Sequence, residues 1–153
     1  DKRIIVIGSG NAWRPITHIE DISQAFLLCL KEDRSIIHNQ VINVGINYEN
    51  YRVKDIAEIV KKVVPDAEIE YVRKDEPDPR SYKVSFDKLN KMFPNFKPKW
   101  TALLGAQQLY DAYYFSNFKS NDVDGIKYNR LDKLKELIST QLLDEYLYWR
   151  NND

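Results

Sequence analysis

The stretch from Asp21 to Leu30 limits most sharply what this chain can fold into. Ile22, Ala25, Phe26 and Cys29 fall at i, i+3, i+4 and i+7, the spacing of one helix face. Leu27, Leu28 and Leu30 then make the helix apolar nearly all round. Such a helix needs cover on most of its faces, which a layered fold supplies. Two runs offer strands for the layer. Ile4-Ile5-Val6-Ile7 is a β-branched run ended by Gly8-Ser9-Gly10, and Gln40 to Val44 is an apolar run closed by Gly45. The second lacks clean alternation, which suits a central parallel strand better than a half-exposed antiparallel one.

The remaining chain reads as α/β, helix-rich, with four to five strands. Pro15 to Ile19 is a short strand. Asn50 is a plausible N-cap for a helix whose stripe is Val53, Ile56, Ala57, Val60, Val63 and Val64, stopped by Pro65. Glu68 to Val72 alternates like an edge strand, and Arg73 to Pro79 is a polar loop with two prolines. Tyr82 to Val84 reads as a short strand and Ser85 as the cap of a helix through Met92. Thr101 caps a helix to about Tyr114. Asn117 to Gly125 is a polar loop, Leu131 to Ile138 an amphipathic helix, and Leu143 to Trp149 a last helix or turn.

Composition sets bounds rather than a function. The chain has 153 residues, 43% of them apolar, enough to bury a core without metal or disulfide staples. Lys plus Arg number 23 and so do Asp plus Glu, which removes the bulk electrostatic case for nucleic acid or an anionic membrane. The single Cys29 rules out a disulfide framework, and no stretch approaches the roughly 18 apolar residues of a membrane span. A cytoplasmic protein is expected. Ten Tyr and three Trp are many for this length, and such rings often mark interfaces.

Gly8-Ser9-Gly10 after a strand invites a dinucleotide reading, but the third glycine of G-x-G-x-x-G would fall at Trp13, with Pro15 just beyond. Arg14, fixed by Pro15, reads either as a clamp for a diphosphate or as a structural salt bridge to Asp21 or a neighbour. His18 has no second histidine at metal spacing and reads as a satisfied core or turn residue, so no metal is expected. Asp21 reads as helix-start chemistry. In Asp78-Pro79-Arg80-Ser81-Tyr82, an arginine leaves a proline-restricted loop beside an aromatic face and hydroxyl. Two arginines converging on one cleft would make an anion site. No nucleophile elbow, P-loop or Tyr-x-x-x-Lys is present, so no catalytic residue is assigned.

Gly8-Ser9-Gly10, then WRPITHIEDISQAF, QVINVG, NYRVKDIAEIV, DPRSYKVSFDKL, and KPKWT with a helix ending LYDAY resemble, in order, part of an extended short-chain dehydrogenase/reductase. The branch is the NAD-dependent nucleotide-sugar epimerase/dehydratase family. The resemblance implies the C-terminal part of a Rossmann-fold protein, with the N-terminal Rossmann half missing. Residues 1–50 would be terminal strands and a helix of the incomplete Rossmann domain, and 51–153 a small substrate-binding domain with a helical tail. It implies NAD or NADP bound mainly by the missing half, transient hydride transfer at a sugar carbon, and a chain inactive alone. Its partners would be a nucleotide-diphosphate sugar and either that half or a second copy, in a homo-oligomer.

Carried over by motif, Arg14 resembles the arginine of an R-x-x-x-H-x-x-D segment that binds the diphosphate, and Arg80 that of an R-x-Y segment reaching it from the other side. Tyr82 belongs to the same segment, Asn43 lies at the strand end beside the cleft, and His18 and Asp21 orient rather than react. The family's further arginine before Pro-Gly is replaced by Asp75-Glu76-Pro77, with Arg73 as a nearby substitute. The alternative is a non-catalytic interaction or assembly module, suggested by Tyr110, Tyr113, Tyr114, Tyr146, Tyr148 and Trp149.

Overall fold

The computed structural model describes residues 2–73, 80–119, 122, 125–126 and 128–150. The polar loop read at Arg73 to Pro79 therefore lies outside them from residue 74 on, as does part of the loop at Asn117 to Gly125. By its contacts the chain divides into residues 1–111 and 112–153.

In the first unit, β1 (Arg3–Ile7) pairs in parallel with β4 (Glu68–Val72), Ile5 opposite Glu70. Helix α3 (Val53–Val63) lies between them in sequence and packs on both. Its stripe buries Ala57 and Val63 with Val6 of β1. The helix starts where Asp55 accepts the Arg52 N–H at 2.9 Å, and its last N–H bonds end just before Pro65. A β-α-β unit thus occupies residues 3–72. This corrects the expectation that the Rossmann-type half is missing from the chain. The glycine fingerprint was the wrong thing to look for, because topology and not spacing defines the unit.

A second sheet, of β2 (Trp13–Pro15) and β3 (Asn50–Arg52), is antiparallel. Asn50 is thereby a strand residue; Arg52 takes the cap position of α3. Gln40 to Val44 forms no strand. Among the described residues none pairs with it as a ladder, and the Val44 carbonyl instead accepts the Thr17 hydroxyl at 3.1 Å. Short helices α2 (Arg34–Ile37) and α4 (Asp87–Met92) and the long α5 (Ala102–Phe115) complete the order. Thr101 Oγ1 accepts the Leu104 N–H at 3.2 Å, the cap expected of it.

Helix α1 (Ile19–Lys31) buries Asp21 and Ala25. Ile22, Leu28 and Cys29 are half-buried, but Phe26 and Leu30 do not find the cover that the sequence implied, being 67% and 80% exposed. In the second unit, α6 (Arg130–Ser139) is capped by Asn129, Tyr113 stacks on Phe118, which Tyr128 meets edge-on, and Leu143 bridges to Trp149.

Candidate functional site

Strand β2 is bordered on one edge by β3, with Trp13 opposite Arg52 and Arg14 opposite Tyr51. Residues 80–84 follow its other edge without becoming a regular strand. The Trp13 N–H donates to Ser81 Oγ at 3.1 Å, and the Tyr82 N–H reaches the Trp13 carbonyl at 3.4 Å. Asn50 fixes the register of this segment: its amide donates to the Val84 carbonyl and accepts the Val84 N–H. Asn47 does the same one turn on, accepting the Phe86 N–H at 2.8 Å.

Three of the four residues singled out in sequence meet here. Arg14 Nη1 donates to the Arg80 carbonyl at 2.6 Å and to the Trp13 carbonyl at 2.8 Å. Its guanidinium lies 5.5 Å from the centre of the Tyr82 ring. Asn43 is held elsewhere, donating to the Ser85 carbonyl at 3.4 Å. Asp78 and Pro79, and the Asp75-Glu76-Pro77 departure, lie outside the described residues. The salt bridge considered between Arg14 and Asp21 is not formed, since Asp21 accepts the backbone N–H groups of Lys99 and Trp100. His18 caps α1 through Nδ1, meets Gln108 Oε1 through Nε2 at 2.7 Å, and stacks on Trp100 at 4.0 Å. It is satisfied by its neighbours, as a turn histidine is.

Sequence reasoning missed the other side of β2. Lys83 Nζ sits 3.8 Å and Arg52 Cζ 5.1 Å from the Trp13 ring centre. Their cross-strand meeting depends on a register that sequence spacing does not reveal. It also missed the pair behind Arg14. Glu49 is buried and accepts the Ala102 N–H at 2.6 Å, capping α5, while bonding to Tyr51. Burial, then the hydrogen bond and charge of Glu49, push the Tyr51 hydroxyl up to about 12. The folded state holds this proton more tightly than the unfolded state, so the stabilisation is full below pH ~10 and is lost as pH rises towards ~12. Tyrosinate absorbance should therefore show one late-titrating tyrosine that disappears in Tyr51→Phe and moves down in Glu49→Gln. An unchanged late step in Tyr51→Phe would show that another group causes it.

A cavity of about 670 Å³ lies apart from this corner, between α1 and residues 92–100. Two of its carboxylates are already engaged: Glu20 with Trp100 Nε1, and Asp21 with the backbone N–H groups of Lys99 and Trp100. Its lining includes none of Arg14, Arg80, Tyr82 or Asn43. Among the described residues no three His, Cys, Asp or Glu side chains gather as a metal site requires, and no helix is long and apolar enough to cross a membrane.

Residues 1–45 match the model of the NAD dependent epimerase/dehydratase family. The link is at family level. That match takes in β1, β2, α1 and α2; of the β-α-β unit it covers β1, and α3 and β4 follow it. The expectation of a half-enzyme without its Rossmann element, inactive for that reason, is overturned by that unit. Similar solved structures agree on the fold. A GDP-6-OMe-4-keto-L-xylo-heptose reductase from C. jejuni superposes with TM-score 0.64 at 19% identity, over 75% of this chain and 34% of its own. A dTDP-glucose 4,6-dehydratase from Bacillus anthracis, in complex with NAD, gives 0.56 at 22%, over 74% and 35%. GDP-mannoheptose C4 reductase from Campylobacter jejuni, with NADP bound, gives 0.59 at 20%, over 74% and 32%. The chain spans about a third of the length of each.

The turn after β1 can be tested against a cofactor pyrophosphate. Gly10 has φ +68°, and a Cβ there would press on Lys54 and Val6 at 3.0 Å, so this glycine permits close packing of β1 against α3. The first amides of α3 are taken by the chain itself: Lys54 N–H donates to the Gly10 carbonyl at 2.9 Å and Val53 N–H to the Ala12 carbonyl at 3.0 Å. In this arrangement the turn does not fit a bound diphosphate, and no step is routed through a dinucleotide there.

Proposed function

We propose that the protein acts, at the level of the family, as an NAD(P)-dependent sugar-modifying oxidoreductase or epimerase, and that the Arg14, Arg80 and Tyr82 corner binds the diphosphate of its nucleotide sugar. One observation carries the reading: the Arg14 guanidinium is anchored at 2.6 Å on the Arg80 carbonyl and lies over Tyr82. The Arg14 guanidinium, the Arg80 backbone and the Tyr82 ring thus meet at one sheet edge. A planar guanidinium held against rotation is pre-organised for a diphosphate, so less entropy is lost when the anion binds. The part of these residues is to bind and orient. Asn43 belongs to the proposal only as a neighbour through Ser85. The GDP and dTDP compounds that name the similar solved proteins suggest a nucleoside diphosphate as the probe.

Titration calorimetry with UDP, TDP, GDP and CDP tests this. Arg14→Ala should weaken the preferred nucleotide about 10- to 100-fold, the size of one or two charge-assisted hydrogen bonds. Arg80→Ala should weaken it less, and Arg14→Lys should fall between wild type and Arg14→Ala. Equal affinity in both alanine variants would remove the site. An assembly module is the second reading, favoured by the exposure of Tyr146, Tyr148 and Trp149. A chain that binds none of the four nucleotides would favour it.

A further inference from the structure

We infer that the other face of β2 carries a second anion site, in which Arg52 and Lys83, gathered on the Trp13 ring, hold a dianionic phosphate group. Cross-strand pairing sets Arg52 opposite Trp13, and the segment that follows the other edge of β2 brings in Lys83. Their charged ends lie 5.1 and 3.8 Å from the centre of the one indole. Arg14 is the next residue of the strand, so its side chain leaves from the opposite face. The neighbouring segment alternates in step: Tyr82 meets Arg14, and Lys83 meets Trp13. The site is therefore separate from the corner of Arg14, Arg80 and Tyr82 and does not rest on the reading of that corner.

Two observations point to an anion. Like charges drawn to one ring repel each other, yet among the described residues no carboxylate pairs with either Arg52 or Lys83. Carboxylates are as plentiful in the chain as cations, and Lys2, Arg3 and Lys133 each find one. The acid nearest Arg52 in sequence, Asp55, is spent on the helix start, where it accepts the Arg52 backbone N–H at 2.9 Å. The second observation is the platform. Trp13 is half-buried, and its backbone N–H is fixed on Ser81 Oγ at 3.1 Å, so the indole gathers two flexible side chains before any ligand arrives. Charge then selects the class of ligand. Two cations balance a dianion, whereas a single carboxylate leaves one of them unbalanced. The fork of an arginine and the point charge of a lysine together suit the several oxygens of a phosphate.

The test is a titration of the full chain with inorganic phosphate at about pH 8, where it is a dianion, and at constant ionic strength. The indole N–H resonances are the readout: three tryptophans give three signals, and Trp13→Phe identifies the one that reports. That signal should move saturably, with a midpoint on the order of 1 mM. Methyl phosphate should act alike, and acetate should need at least about 10-fold more. Lys83→Gln and Arg52→Gln should each raise the phosphate midpoint about 5- to 10-fold, whereas Arg14→Ala should leave it unchanged. Should Arg52→Gln misfold, Lys83→Gln, at an exposed position, decides alone. A response lost in Arg14→Ala and kept in both glutamine variants would place the phosphate at the other corner and overturn the inference. So would a Trp13 signal that stays still up to roughly 50 mM phosphate, or one that moves as far with sodium chloride. A chain that binds no nucleoside diphosphate and still passes this test keeps the site and loses only the reading of the Arg14 corner.

Discussion

Asp21→Ala should lower stability by about 3–5 kcal/mol, the largest effect expected of any single side chain here. Asp21 is 4% exposed, and its two oxygens accept the N–H groups of Lys99 and Trp100 at 2.9 and 3.0 Å. Alanine removes both acceptors at once and leaves two backbone donors without partners in a part-buried position. Asn is a poor substitute, because its amide can accept from one of them but turns a donor towards the other. Trp100 reports the change directly. Its ring stacks on His18 and its Nε1 bonds to Glu20, so loosening residues 99–100 should free the indole. Urea unfolding followed by tryptophan fluorescence should show a lower midpoint at unchanged slope for both variants. A loss below about 1 kcal/mol in Asp21→Ala would mean that water replaces the carboxylate, and the account of this contact would fail.

That contact also shows what was legible in the sequence. Asp21 could be read as helix-start chemistry because Asp before an apolar run is a local signal. Its true partners lie 78 and 79 positions away and left no local trace. The same division runs through the fold. α3, α5 and α6 could be placed from periodicity and caps, since helices are decided by near neighbours. β1 and β4 were legible as strands, but their parallel pairing was not, and the reading of an absent Rossmann half followed from that gap. Gln40 to Val44 looked like a strand by composition, yet a strand needs a neighbour, and here side chains take the place of a ladder. Of the proposed corner, Arg14, Arg80 and Tyr82 could be singled out because each sits beside a proline or on a tight motif. Arg52 and Lys83 were not, because only the β2–β3 register and the course of residues 80–84 carry them to Trp13. The apolar excess of α1 was read as a demand for cover, and the described residues leave Ile19, Phe26 and Leu30 exposed.

Gly45→Ala should cost about 3 kcal/mol, at the upper end of overpacking a core. The reason is contact. A Cβ at Gly45 would lie 2.6 Å from Cε1 and Cζ of Phe86 and 2.7 Å from Oγ1 of Thr17. Neither neighbour can retreat cheaply. Phe86 is 3% exposed, and its N–H is bonded to Asn47; the Thr17 hydroxyl is bonded to the Val44 carbonyl. Pushing Phe86 away disturbs the residues just before it, which Asn50 holds against β2 and which carry Tyr82 over Arg14. The same substitution should therefore weaken nucleotide binding, although Gly45 itself is buried and bears no side chain. Phe86→Leu makes room by removing ring atoms, at its own cost in packing. Combined with Gly45→Ala, it should destabilise by clearly less than the two changes separately. Additivity within about 0.5 kcal/mol would show that the methyl and the ring do not compete for one space, and the steric account would have to go.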